Sequence, residues 1–137
     1  TTALYWAWQA QLGGIEAAED LADDIVDILP PKDVDDIRKR VLDALQARID
    51  AKDIWAIPQL ARYHTDIVEN ADYVNAYIWY SIAAALNMPD AHDRRDDVEG
   101  ELADKDLVES QKKTAALFDK YNFTPLPATA KGGKNGN

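Results

Sequence analysis

The sequence predicts an all-α fold of about seven helices, arranged as antiparallel helix pairs. Three observations predict it. Apolar residues recur at helical spacing nearly throughout. Glycine and proline, six of each in 137 residues, are sparse before residue 122. And the chain repeats itself at a constant offset of 73 residues.

The first helix is predicted over residues 2–12, with Leu4, Tyr5, Trp8 and Leu12 on one face, and Gly13-Gly14 stops it. The second covers 15–28, with Ile15, Ala18, Leu21, Ala22, Ile25 and Leu29 as its inward stripe. Pro30-Pro31 ends it, since a residue before proline avoids the helical region. Pro31 then suits the first turn of a third helix over 32–48, with Val34, Ile37, Val41, Leu45 and Ile49 inward. A fourth starts at an Asp53 cap and reaches Ile67, with Pro58 marking an irregular first turn. The fifth runs from an Asp72 cap to Leu86. Tyr73, Ala76, Tyr77, Tyr80, Ala83 and Ala84 lie on one side and Trp79 and Ile82 on another, so it should be covered on more than one face. The sixth spans 89–102. The seventh spans 104–121, with Leu107, Thr114, Leu117, Phe118 and Tyr121 in register. Residues 122–137, ending in Lys131-Gly132-Gly133-Lys134-Asn135-Gly136-Asn137, lack periodicity and read as a flexible tail.

At the offset of 73, residues 3–39 match 76–112 at eleven positions, among them Ala3/Ala76, Trp6/Trp79, Ala10/Ala83, Ala18/Ala91, Asp23/Asp96 and Leu29/Leu102. The matches fall on like parts of like helices. Alanines let helix axes approach closely, and a tryptophan beside them fills the gap between neighbouring pairs. Trp6 and Trp79 are therefore expected in the core. One helix pair cannot bury its apolar face alone, so the two units, 1–51 and 52–121, should form a single domain.

Composition narrows the function classes. With 47% apolar residues the chain can build a core without staples, and with no cysteine it has neither disulfides nor thiolate metal sites. A formal net charge of -10 repels phosphate backbones and anionic lipid, which argues against nucleic acid and membrane surfaces and for a protein partner with a basic surface. No apolar run approaches the roughly 18 residues a membrane span needs. The chain begins at Thr1 and its one methionine is Met88, so a processed product or an excised piece is expected.

The segment Asp72–Asn87 resembles the second helix of a Sel-one-like repeat, a relative of the tetratricopeptide repeats. Asp72, Ala76, Trp79, Tyr80, Ala83 and Ala84 fill the places of its cap, alanine, tryptophan, aromatic and paired alanines. Ala56, Leu60 and Ala61 resemble its first helix. Ala91, Arg95-Asp96-Asp97-Val98, Leu102, Asp106-Leu107-Val108 and Gln111 are similar to the closing helices after a last bacterial repeat. Thr65–Ala71 stands where the family has a glycine-rich turn, with no glycine and about one residue short, and Tyr63 or His64 stands near the expected tyrosine, one residue out of register. The resemblance implies an α-solenoid fragment or compact bundle that acts as an adaptor or scaffold in a larger complex, and it transfers no catalytic residue. It leaves the compartment open, with a bacterial extracytoplasmic (periplasmic) setting ahead of the cytoplasm.

The candidate binding residues come from charge and aromatic content. Spacings of three and four place Glu16, Asp20, Asp23 and Asp27 on one helix face. A solvated face steadied by the helix dipole explains them without a ligand. A docking ridge for a basic partner is the functional reading, and it suggests an acidic immunity protein or inhibitor as the alternative function. Trp8 and Trp55 are candidates for a partner anchor in a groove, and Tyr73, Tyr77 and Tyr80 for its lining, with core packing as the plainer reading of the tyrosines. No cofactor or metal is expected: His92 near Asp96 reads as a surface pair, and no calcium-loop spacing is present. Enzymatic activity is not expected, because no phosphate loop, nucleophile elbow or dinucleotide fingerprint occurs.

Overall fold

The structure, a computed structural model, describes residues 2–127, and the described residues form seven α-helices and no strand. They are α1 (Thr2–Leu12), α2 (Ala17–Ile28), α3 (Pro31–Asp50), α4 (Ala56–Arg62), α5 (Tyr73–Ala85), α6 (Ala91–Glu99) and α7 (Asp104–Tyr121). A π turn, Tyr63–Ile67, continues α4. One hydrophobic core runs from Leu4 to Phe123 and draws on both units.

The clearest sequence signal gives the clearest element. Val34, Ile37, Val41, Leu45 and Ile49 are all buried along α3, which Pro31 opens at its first position. Each such aliphatic side chain contributes about 1.5–3 kcal/mol on leaving water. In α5, Asp72 caps as predicted: its carboxylate accepts from the Asn75 backbone N–H at 3.1 Å and from the Asn75 side chain at 2.7 Å. A cap of this kind is worth about 1 kcal/mol. Asp53, by contrast, caps the turn ahead of α4 and not the helix itself. Its side chain accepts from Trp55 N at 3.1 Å, and its carbonyl accepts from Ala56 N, also at 3.1 Å.

α2 departs from expectation. Ile15 and Leu21, predicted inward, are exposed, and Ala18 and Ala22 are the residues it buries. α2 packs chiefly on α1, and a single neighbour needs only a narrow alanine seam.

The π turn lies where the sequence departs from the repeat pattern. Val68 N donates to Tyr63 O at 3.2 Å, the i→i+5 bond that takes one extra residue into a helical turn. Asp72 N then donates to the His64 carbonyl at 2.8 Å, so the turn closes without glycine. Burial holds the His64 imidazole below its ordinary pKa of 6.5, against the opposing pull of the Asp72 carboxylate. The unfolded chain therefore takes up this proton first as pH falls. The stability that His64 contributes is complete above about pH 6.5 and is lost as pH drops below it. Urea unfolding at pH 7.5 and 5.5 should show a smaller acid-side loss in His64→Gln than in the parent; equal losses would contradict this account.

The repeat holds in the backbone. α1, α2 and α3 lie at the predicted offset from α5, α6 and α7. Gly14 and Asn87, equivalent by that offset, both take the left-handed conformation, with φ of 102° and 64°. Coverage does not repeat. α5 packs on α4, the π turn, α6 and α7, whereas α1 packs on α2 and α3. Trp79 is accordingly 6% exposed and Trp6 is 62% exposed, so the expectation that both are core is corrected for Trp6.

Residues 122–127, predicted to open the tail, are tied down. Asn122 stops α7 with a φ of 52°. Phe123 is buried and stacks on Tyr121, with ring centroids 5.0 Å apart. Leu126 N donates to Leu86 O and the Asn87 amide donates to Leu126 O, both at 2.9 Å. The rest of the predicted tail lies outside the described residues.

Candidate functional site

Two surfaces stand out, and each follows from the repeat. The first is the stripe of α1 left bare at the N-terminal edge. Ala3, Trp6, Ala10, Gly13 and Ile15 correspond to Ala76, Trp79, Ala83, Leu86 and Met88, all five of which are buried. The covering of the second copy can be traced. The Trp79 ring lies 6.4 Å from Tyr121, and Leu86 and Asn87 bond Leu126. Among the described residues no such segment lies over the first copy. Trp6 touches Tyr5 edge to face at 5.1 Å and is otherwise largely open, and Ile15 is exposed. α1 also carries no charged residue, in a chain of net charge -10. Nearby α2 adds Leu21 and Ile28 as exposed apolar residues, where the second copy has Arg94 and Glu101.

The second surface is a trough along Trp55. A cavity of about 380 Å³ lies between the α1–α2 turn, α4 and the start of α6. A neighbouring one of about 740 Å³ reaches Leu126 and Pro127, and Trp55 lines both. Trp55 is half exposed and sits just before α4, where Asp53 holds its backbone. Leu12, Pro58 and Pro89 add apolar wall to the first cavity, while Arg62, Arg94, Glu16 and Asp90 bring charge of both signs to it. Arg62 donates to the Gln11 carbonyl at 3.3 Å, which fixes α4 against the end of α1. Tyr80, almost fully buried, lines the same space. Burial raises its pKa over the opposing pull of Arg94 and Arg62, so the hydroxyl stays a hydrogen-bond donor.

The predicted site residues divide accordingly. Trp55 and Glu16 line the first cavity. Asp20, Asp23 and Asp27 lie exposed along α2, with no ion pair to another described residue. Tyr73 is partly exposed at the start of α5 and lines neither cavity. Trp8 and Tyr77 need correction as groove residues. Both are buried: Trp8 lies under the Arg38 guanidinium at 5.6 Å, and Tyr77 lies on α5, which packs against α4, the π turn, α6 and α7. Sequence reasoning offered Tyr80 as a groove-lining residue, and it lines this cavity; it missed Arg62 and Arg94, which come from two elements and share no spacing. The one hint was Arg94 standing where the first copy has Leu21.

Among the described residues no helix is long and apolar enough to cross a membrane, and no three His, Cys, Asp or Glu side chains gather as a metal set. No family model, no curated protein and no solved structure matches this chain.

Proposed function

We propose that this chain is a protein-interaction module, an adaptor or scaffold subunit whose partner covers the bare stripe of α1. One observation carries the reading: the same stripe is buried in the second copy of the repeat and open in the first, with Trp79 and Trp6 as its markers. An exposed tryptophan flanked by Ala3, Ala10 and Gly13 is a large side chain among small ones, the relief into which a partner helix or extended segment fits closely. Tyr121–Leu126 illustrates such a cover within the chain itself. In this reading the module catalyses no reaction, and the Sel-one-like resemblance supports a binding role.

The test is affinity capture from the source cell, with the parent, Trp6→Ala and Val108→Ala as baits. Val108 is another exposed apolar residue, away from the stripe. Trp6→Ala should lose the partner that the parent and the control retain; the same catch with all three would remove the stripe as the site.

A second reading draws on the α2 carboxylates, which are exposed and without a described cation beside them. They support an acidic inhibitor or immunity protein that neutralises a basic toxin or enzyme. Binding through that ridge weakens steeply as salt rises, because exposed charges are screened within about 8 Å at physiological ionic strength. Docking through the uncharged stripe holds or strengthens.

A further inference from the structure

We propose that the cavity between the α1–α2 turn, α4 and the start of α6 binds a free α-amino acid with a bulky apolar side chain. The proposal goes beyond the protein-binding role and rests on different residues. Two guanidinium groups, Arg62 and Arg94, and two carboxylates, Glu16 and Asp90, line one space of about 380 Å³. None of these four forms an ion pair with another of the four; the only pair any of them makes with a described residue is Arg62 with Asp66, at 3.8 Å. Glu16, Asp90 and Arg94 are exposed, and exposed opposite charges gain little from pairing in water. Here both signs remain available to a ligand that carries both.

Tyr80 is the second, independent observation. It is 3% exposed and lines this cavity with Arg62 and Arg94. A tyrosine hydroxyl and two guanidinium groups lining one cavity are a donor set for a carboxylate, and charge-assisted hydrogen bonds of this kind are the strong ones. Glu16 and Asp90 then face the ammonium group. Asp90 is held in the left-handed conformation, φ 63°, directly before α6. Trp55, Leu12, Pro58 and Pro89 supply an apolar wall for the side chain. The volume is at the lower end of the range for small-molecule sites, about 300–1,000 Å³. A phosphate-bearing ligand fits less well, since it would bring a second negative charge to two carboxylates in a chain of net charge -10.

The experiment titrates the full chain with L-phenylalanine and L-leucine by calorimetry and by NMR of the arginine Nε–H groups. N-acetyl-L-phenylalanine, which keeps only the carboxylate, and L-phenylalaninamide, which keeps only the ammonium, are the paired controls. The free amino acid should bind and shift Arg62 and Arg94, and each capped derivative should bind about tenfold or more weakly. Arg94→Gln and Glu16→Gln change exposed side chains, so circular dichroism should stay unchanged while affinity falls about tenfold. Tyr80→Phe keeps the ring and should weaken binding several-fold. The proposal is overturned if a capped derivative binds within about threefold of the free amino acid. It is equally overturned if neither amino acid binds up to about 10 mM, the weakest affinity such a ligand should have in a fitted site. Capture through Trp6 is unaffected by either result, so the two readings fail separately.

Discussion

Trp79→Ala will lower the free energy of unfolding by about 3–5 kcal/mol, whereas Trp6→Ala will change it by less than about 0.5 kcal/mol. The two tryptophans sit at equivalent places of one repeat, on equivalent helices, so local propensity is nearly the same for both. What differs is the far side of the contact. Trp79 is 6% exposed on a helix packed by α4, α6, α7 and the π turn, with the Tyr121 ring 6.4 Å away. Removing the indole there leaves a cavity under Tyr121 that the surrounding helices close only in part, and the cost is lost transfer energy plus the void. Trp6 is 62% exposed, and its removal returns apolar surface that water already covers. Urea unfolding of the two variants measures the difference directly. Equal costs would mean that α1 is covered in solution, and the bare stripe would lose its meaning as a docking site.

The same contrast explains what could be read from the sequence. The α3 stripe was legible because one helix face meets one core, and the apolar residues mark that face without help. In α1 the sequence offered two incompatible signals. The stripe Leu4, Trp8, Leu12 placed Trp8 inside, and the match with Trp79 placed Trp6 inside. Residues two apart on a helix point about 200° from each other, so both are buried only where neighbours lie on opposite sides. α5 has such neighbours, and α1, packed by α2 and α3, does not. Periodicity names the faces of a helix, not the number of elements available to cover them. Leu21 and Ile28 on α2 escaped for the same reason. The Trp55 cavity was legible in Trp55, Tyr80 and Glu16 but not in its two guanidinium groups. Its charges come from the α1–α2 turn, α4 and the α6 start, and such convergence leaves no trace in spacing.

Arg38→Met will destabilise the fold by about 2–4 kcal/mol, the sum of an unpaired buried carbonyl and a lost cation–aromatic contact. Arg38 lies on α3, with its side chain largely buried. Its Nε donates to the Ile67 carbonyl at 2.7 Å, at the end of the π turn, where no further helical N–H arrives to pair that oxygen. The guanidinium lies over the Trp8 ring at 5.6 Å and bonds Asp35 at 2.8 Å. Its own carbonyl accepts from the Tyr63 hydroxyl at 3.2 Å. One side chain thus joins α1, α3 and the π turn. Methionine preserves the stem and its packing but leaves Ile67 O without a donor. Arg38→Lys restores the charge but not the planar fork, so it should recover only part of the loss. Hydrogen exchange should place the damage at Tyr63–Val68 before the rest of the chain opens. A loss below about 0.5 kcal/mol, or exchange that quickens evenly along the chain, would mean that the π turn holds itself without Arg38.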